Sequence, residues 1–120
     1  MQTLPDVSLD YAADHLLEAV RSVAVSEGPL YARLQTAWVE SVQLVWEKPC
    51  LTTELLARFK ALWDRITDST AGPRSARLRE LTASETVAAV EELIALAVQT
   101  AVTASQAPTD VRLATLADLT

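Results

Sequence analysis

Apolar residues recur along the chain at the three-to-four-residue spacing of an α-helix, and no useful stretch alternates apolar and polar residues as a strand does. Glycine–proline pairs at 28–29 and 72–73, together with Pro49, divide this pattern into segments. It predicts an all-α helical bundle with four main helices at about residues 8–26, 29–48, 53–68 and 84–105. One or two short helices are expected in addition, at about residues 74–81 and 110–119.

Local signals support the helix ends. Ser8 stands where an N-cap belongs, ahead of the first helix. Gly28 occupies the C-terminal cap position of that helix, and Pro29 can open the next one. Thr82 and Glu85 match a capping box ahead of the last long helix. Its inward face is predicted to contain Val87, Val90, Leu93, Ile94, Ala97, Val98 and Ala101, joined by Val102 at its edge.

The second helix is apolar over an arc of about 200°, roughly twice that of an ordinary surface helix. Trp38 and Trp46 lie about 80° apart on a regular helix, so one core face does not easily bury both. Either this helix is central and covered on two sides by its own chain, or one side binds a partner, most simply a second copy in a two-fold dimer. On the second interpretation, the expected interface residues are Val39, Val42, Trp46, Trp38 and Tyr31.

Composition narrows the class of protein. A chain of 120 residues is expected to form a single domain, residues 1–120, and its formal net charge of −6 does not favour nucleic acid or anionic lipid. The N-terminal segment carries no basic residue, which argues against a targeting signal. No apolar run approaches the roughly 18 residues that a membrane span requires. The lone cysteine, Cys50, fits a reducing compartment. These features predict a cytoplasmic location. Asparagine is absent and arginine greatly outnumbers lysine, which is typical of a GC-rich bacterial genome.

Candidate chemistry is sparse. The only histidine, His15, falls at the border of a polar face and is expected to be solvated. Cys50 precedes the third helix and is expected to be a small apolar filler, with a nucleophilic role as the alternative. Asp14, Glu18 and Glu91 define the least favoured hypothesis, a carboxylate-metal hydrolase. Glu91 lies at the edge of an apolar arc, where it either reaches the rim, pairs with an arginine, or is functional.

Three arginines, Arg74, Arg77 and Arg79, cluster in one connector. We expect their side chains to be solvated. The alternative, functional interpretation is that they form a docking point for an acidic partner.

The favoured hypothesis is therefore a non-enzymatic protein–protein interaction module without metal or cofactor. It would self-associate or serve as a small subunit or adaptor of a larger bacterial assembly. The alternative is a binder of a small apolar ligand, in a pocket between the second helix and the last long helix. That pocket would be lined by Trp38 and Trp63, with Gln35 or Ser41 as polar groups.

Overall fold

The computed structural model describes residues 8–66, 81–106 and 112–119, and it confirms the all-α class. Helix α1 is Leu9–Val25, α3 is Thr53–Ile66 and α4 is Ala83–Gln106. Helix α2, residues 30–46, has three consecutive parts: an α-helix Leu30–Ala37, a π-helix Trp38–Val42 and a short α-helix Gln43–Trp46. A 3-10 helix, Leu116–Leu119, follows near the end of the chain.

The predicted N-terminal caps of α1 and α4 are confirmed, whereas the C-cap of α1 is Ser26, two residues before the predicted Gly28. The Ser8 hydroxyl accepts a hydrogen bond of 3.0 Å from the backbone N–H of Tyr11, which caps α1. Gly28 has φ of 104°, a left-handed conformation that glycine adopts without steric cost. Thr82 and Glu85 form the capping box, in which each backbone N–H donates to the side chain of the other, at 2.9 and 3.1 Å.

The C-terminal segment differs from the helix predicted at about 110–119. Ala114 forms an isolated antiparallel bridge with Leu51, to whose carbonyl its N–H donates at 2.7 Å. This N–H is satisfied by the α2–α3 connection, so residues 112–115 do not need a helical turn. The 3-10 helix starts only after Thr115, whose backbone N–H donates to the carboxylate of Asp118 at 2.7 Å and lowers the pKa of that carboxyl.

The short helix predicted at 74–81 lies outside the described residues, apart from Leu81.

The described helices surround one hydrophobic core. Helix α1 packs most extensively against α4 and also against α2, while α3 packs against α4. Arg58 of α3 and Glu92 of α4 form an ion pair of 3.0 Å at the surface. Because both side chains are partly solvated, this pair adds little stability, and the helices are held mainly by buried apolar side chains. The largest fully buried ones include Trp38, Phe59, Leu16, Leu34, Leu51, Leu62, Ile66, Leu93 and Leu96.

Candidate functional site

The wide apolar arc of α2 is accommodated by its π-helical turn. A π turn closes hydrogen bonds between residues five apart and takes up one more residue than an α turn. The residues that follow are therefore set back by about 100°, which returns Trp46 to within roughly 20° of Trp38. Both indoles contact Trp63 of α3: the Trp46 ring stacks on it at 4.1 Å between centroids, and Trp38 lies at 5.2 Å. One neighbouring helix thus packs against both tryptophans.

The five interface residues expected on α2 differ in how far this arrangement buries them. Trp38 and Val42 have no exposed surface, so in this conformation their side chains do not reach a partner. Trp46 and Tyr31 are half-buried against the core. Val39 alone is open, with 54% of its surface exposed. Most of the apolar circumference of α2 is covered by its own chain.

Helix α4 carries the larger exposed apolar surface. Val87, Ile94, Val98 and Val102 are 42–52% exposed. Together with Glu91 they fall within an arc of about 80°. We call these five residues the α4 outer face. Single exposed apolar residues are ordinary, whereas a continuous row of them marks a potential interaction surface.

The prediction for the buried side of α4 is wrong for Val87, Ile94 and Val98, and also for Val102, predicted at its edge. The residues actually buried are Thr86, Ala89, Leu93, Leu96, Ala97 and Thr100. Thr86 and Thr100 fit inside because their hydroxyls donate to the carbonyls of Thr82 and Leu96, at 3.0 and 2.7 Å. The small buried residues Ala89 and Ala97 allow neighbouring helices to approach closely. The buried face is therefore rotated relative to the most apolar face.

Helix α4 is also the one described helix long and apolar enough to cross a membrane by length and composition, with 28% of the relevant window buried inside the fold. Its buried apolar residues belong to the hydrophobic core of the bundle.

A groove opens between α1, α2 and α4. Its volume is about 190 Å³, and its lining consists of Val20, Val23, Ala24, Arg33, Val90, Leu93 and Ile94. Arg33 is the only charged lining residue, and its Nη1 donates to the carbonyl of Val23 at 2.9 Å. Its Nε atom is buried without a hydrogen-bond partner among the described residues.

The pocket predicted around Trp38 and Trp63 is instead occupied by the side chains themselves, since both are core residues. Of its expected polar groups, Ser41 is buried and Gln35 is exposed.

The candidate catalytic side chains lie apart from this groove. Cys50 is buried, its thiol lies 3.6 Å from the carbonyl of Val45, and burial raises its pKa from 9.0 to about 12. Burial thus outweighs any effect of the neighbouring helix start, and the thiol stays protonated at neutral pH. His15 packs edge-on against Tyr11, at 4.4 Å between ring centroids.

The three carboxylates of the hydrolase hypothesis are all exposed. Within residues 8–66, 81–106 and 112–119, no group of three or more acidic, histidine or cysteine side chains could hold a metal ion, so Asp14, Glu18 and Glu91 form no such cluster. The other predicted site, Arg74, Arg77 and Arg79, lies outside the described residues.

No protein family model, curated protein or solved structure shows significant similarity to the chain.

Proposed function

We propose that this chain is a non-enzymatic helical interaction module that acts through the α4 outer face, most simply by pairing with a second copy of itself. The observation that carries the proposal is the row of exposed apolar side chains from Val87 to Val102. This row spans about 22 Å, or roughly four helical turns, which is enough for helix-to-helix packing.

The charge on this face favours one orientation of the two copies. Glu91 is the only ionised residue in the row. In a parallel pair the two Glu91 side chains would face each other, which costs free energy through like-charge repulsion. In an antiparallel pair with its two-fold axis near Ala95, Glu91 lies opposite the region around Val98 of the other copy and can extend to solvent. The small side chain of Ala95 permits close approach at the axis.

The apolar surface extends beyond α4. Leu17 of α1 is 44% exposed. It lies one turn before Val20 and two turns before Ala24, both of which border the groove. A stable dimer buries on the order of 800 Å² on each partner, which is more than one helix face supplies. We therefore include the exposed edge of α1 around Leu17 in the proposed interface. The proposal includes a bacterial cytosolic location. The absence of asparagine and the excess of arginine over lysine support the bacterial origin, and the single thiol of Cys50 suits a reducing compartment.

Val98→Glu tests the proposal, because a symmetric dimer would place this carboxylate in both halves of its apolar interface. The dissociation constant measured by analytical ultracentrifugation is expected to rise by at least about 100-fold. Val39→Glu is the matched control, since Val39 is equally exposed but lies on α2. It should leave the dissociation constant unchanged.

Two results would contradict the proposal: a wild-type chain that stays monomeric over the accessible concentration range, or dissociation caused by Val39→Glu but not by Val98→Glu. The second result would restore the interface predicted on α2.

A further inference from the structure

We infer that the groove between α1, α2 and α4 binds a small amphipathic carboxylate, a linear alkanoate of about six to eight carbons, with its head group on Arg33 and its chain between α1 and α4. The inference does not rest on self-association: the two proposed sites share Ile94 and meet along the α1 edge near Val20 and Ala24, but Arg33 lies outside the proposed interface.

The size and chemistry of the groove define the tail. Apart from Arg33, every lining residue is valine, leucine, isoleucine or alanine. A dry cavity of about 150 Å³ holds benzene, so a groove of about 190 Å³ accommodates an apolar chain of roughly six carbons. Longer chains would extend past Ala24 and Ile94, which are exposed at the border of the groove.

The unsatisfied edge of the guanidinium defines the head group. Arg33 already uses Nη1 to donate to the carbonyl of Val23. Its Nε–H has no acceptor among the described residues, and no described carboxylate forms an ion pair with Arg33. Nε and Nη2 form one edge of the planar guanidinium, which matches the two oxygens of a carboxylate. A buried donor left without an acceptor is unfavourable, and a bound carboxylate would supply the missing acceptor.

The experiment is a titration with octanoate, followed by the backbone amide shifts of the folded chain in two-dimensional NMR. Octanol keeps the chain without the charge, and acetate keeps the charge without the chain. Saturable shifts are expected around the groove for octanoate, with octanol and acetate binding at least about tenfold more weakly. The same titration in Val98→Glu separates this site from the proposed dimer, because that variant keeps the groove lining intact.

Three variants assign the parts of the site. Arg33→Met removes the charge but keeps most of the apolar stem, and it is expected to weaken octanoate binding at least about tenfold. Arg21→Met is the matched control: it removes an exposed arginine from α1 outside the groove and should leave the affinity unchanged. Ala24→Leu fills the groove from its exposed border and should abolish binding while Arg33 is retained.

The inference is overturned by equal affinity for octanoate and octanol, by equal losses in Arg33→Met and Arg21→Met, or by the absence of saturable binding. Shifts confined to Val98 and Val102 would likewise overturn it, because they would indicate adsorption to the α4 outer face. If Arg33→Met does not fold, the octanoate–octanol comparison and Ala24→Leu still decide the question.

Discussion

Helices α2 and α4 both carry apolar side chains over more than half of their circumference, yet they differ in where that surface ends up. Helix α2 lies inside the bundle, with Trp38 and Val42 fully buried. Helix α4 buries a face of alanine, leucine and threonine against α1 and leaves Val87, Ile94 and Val98 exposed. At 100° per residue, the apolar arc of α4 reaches about 240°.

The comparison shows that apolar width alone does not identify an interaction surface. A helix can hide a wide arc by changing its own geometry, as the π turn of α2 does when it brings Trp38 and Trp46 onto Trp63. A regular helix keeps its apolar residues at constant angles. The apolar side chains that neighbouring helices do not cover therefore remain exposed to water, a ligand or a partner.

The largest contrast is expected in stability. Trp63→Ala should lower the free energy of unfolding by about 3–5 kcal/mol, because the indole is buried between Trp38 and Trp46. Val98→Ala should change it by no more than about 0.5 kcal/mol, because the side chain is half exposed. Urea unfolding of the dilute, monomeric protein measures both. Similar losses in the two variants would mean that Val98 is covered as thoroughly as the tryptophan cluster formed by α2 and α3.

The π turn offers a second test of the same comparison. Deleting Glu40, an exposed residue of the turn, should convert it to a regular α turn while both flanks keep their orientation. Seven residues at 100° each leave Trp46 about 20° from Trp38, so the stack on Trp63 is retained and the loss should stay within about 2 kcal/mol.

Deleting exposed Ala61 from the regular helix α3 is the control for this deletion. It should rotate the following residues by about 100° and remove Trp63 from its place, with a much larger loss of stability. If the Glu40 deletion is as damaging as the Ala61 deletion, the π turn does not act as an inserted residue.

An effect on stability that is confined to alkaline pH concerns Cys50, in the α2–α3 connection. The unfolded thiol ionises near its ordinary pKa of 9.0, whereas the folded thiol keeps its proton up to about 12. Between these values the unfolded state binds fewer protons, so the free energy of unfolding should fall as pH rises from 9.0 toward 12. Cys50→Ala should remove this component of the pH dependence.

A cysteine introduced on α4 tests the difference in exposure between α4 and the buried Cys50 by chemical reactivity. In the double variant Cys50→Ala, Val98→Cys, the exposed thiol should react rapidly with a disulfide reagent at pH 8, while Cys50 of the native fold should be protected. Rapid modification of Cys50 in the folded wild-type chain would show that the α2–α3 connection opens readily.

Helix positions were predictable because they depend on local signals. The cap at Ser8 and the capping box of Thr82 and Glu85 each act within a few residues, and both are present in the structure. The C-terminal helix was not predictable to the same degree. Its first residues pair with Leu51, which is distant in sequence, and no local pattern encodes that bridge.

The candidate surfaces were harder to predict, for two physical reasons. An angular projection assumes a uniform 100° per residue, and the π turn at 38–42 breaks that assumption. Such a projection also treats threonine as polar, whereas Thr86 and Thr100 satisfy their hydroxyls within their own helix and enter the core. The groove beside Arg33 combines three helices, so no single segment reveals it.

The amino-acid sequence by itself determined that the chain is helical, where its main helices lie and how two of their N-termini are capped, because periodicity and capping are local properties. Only the tertiary structure decided which part of each apolar surface is covered, since coverage depends on the geometry of neighbouring helices. Helix α2 therefore lies hidden within the bundle, and α4 presents Val87, Ile94, Val98 and Val102 outward.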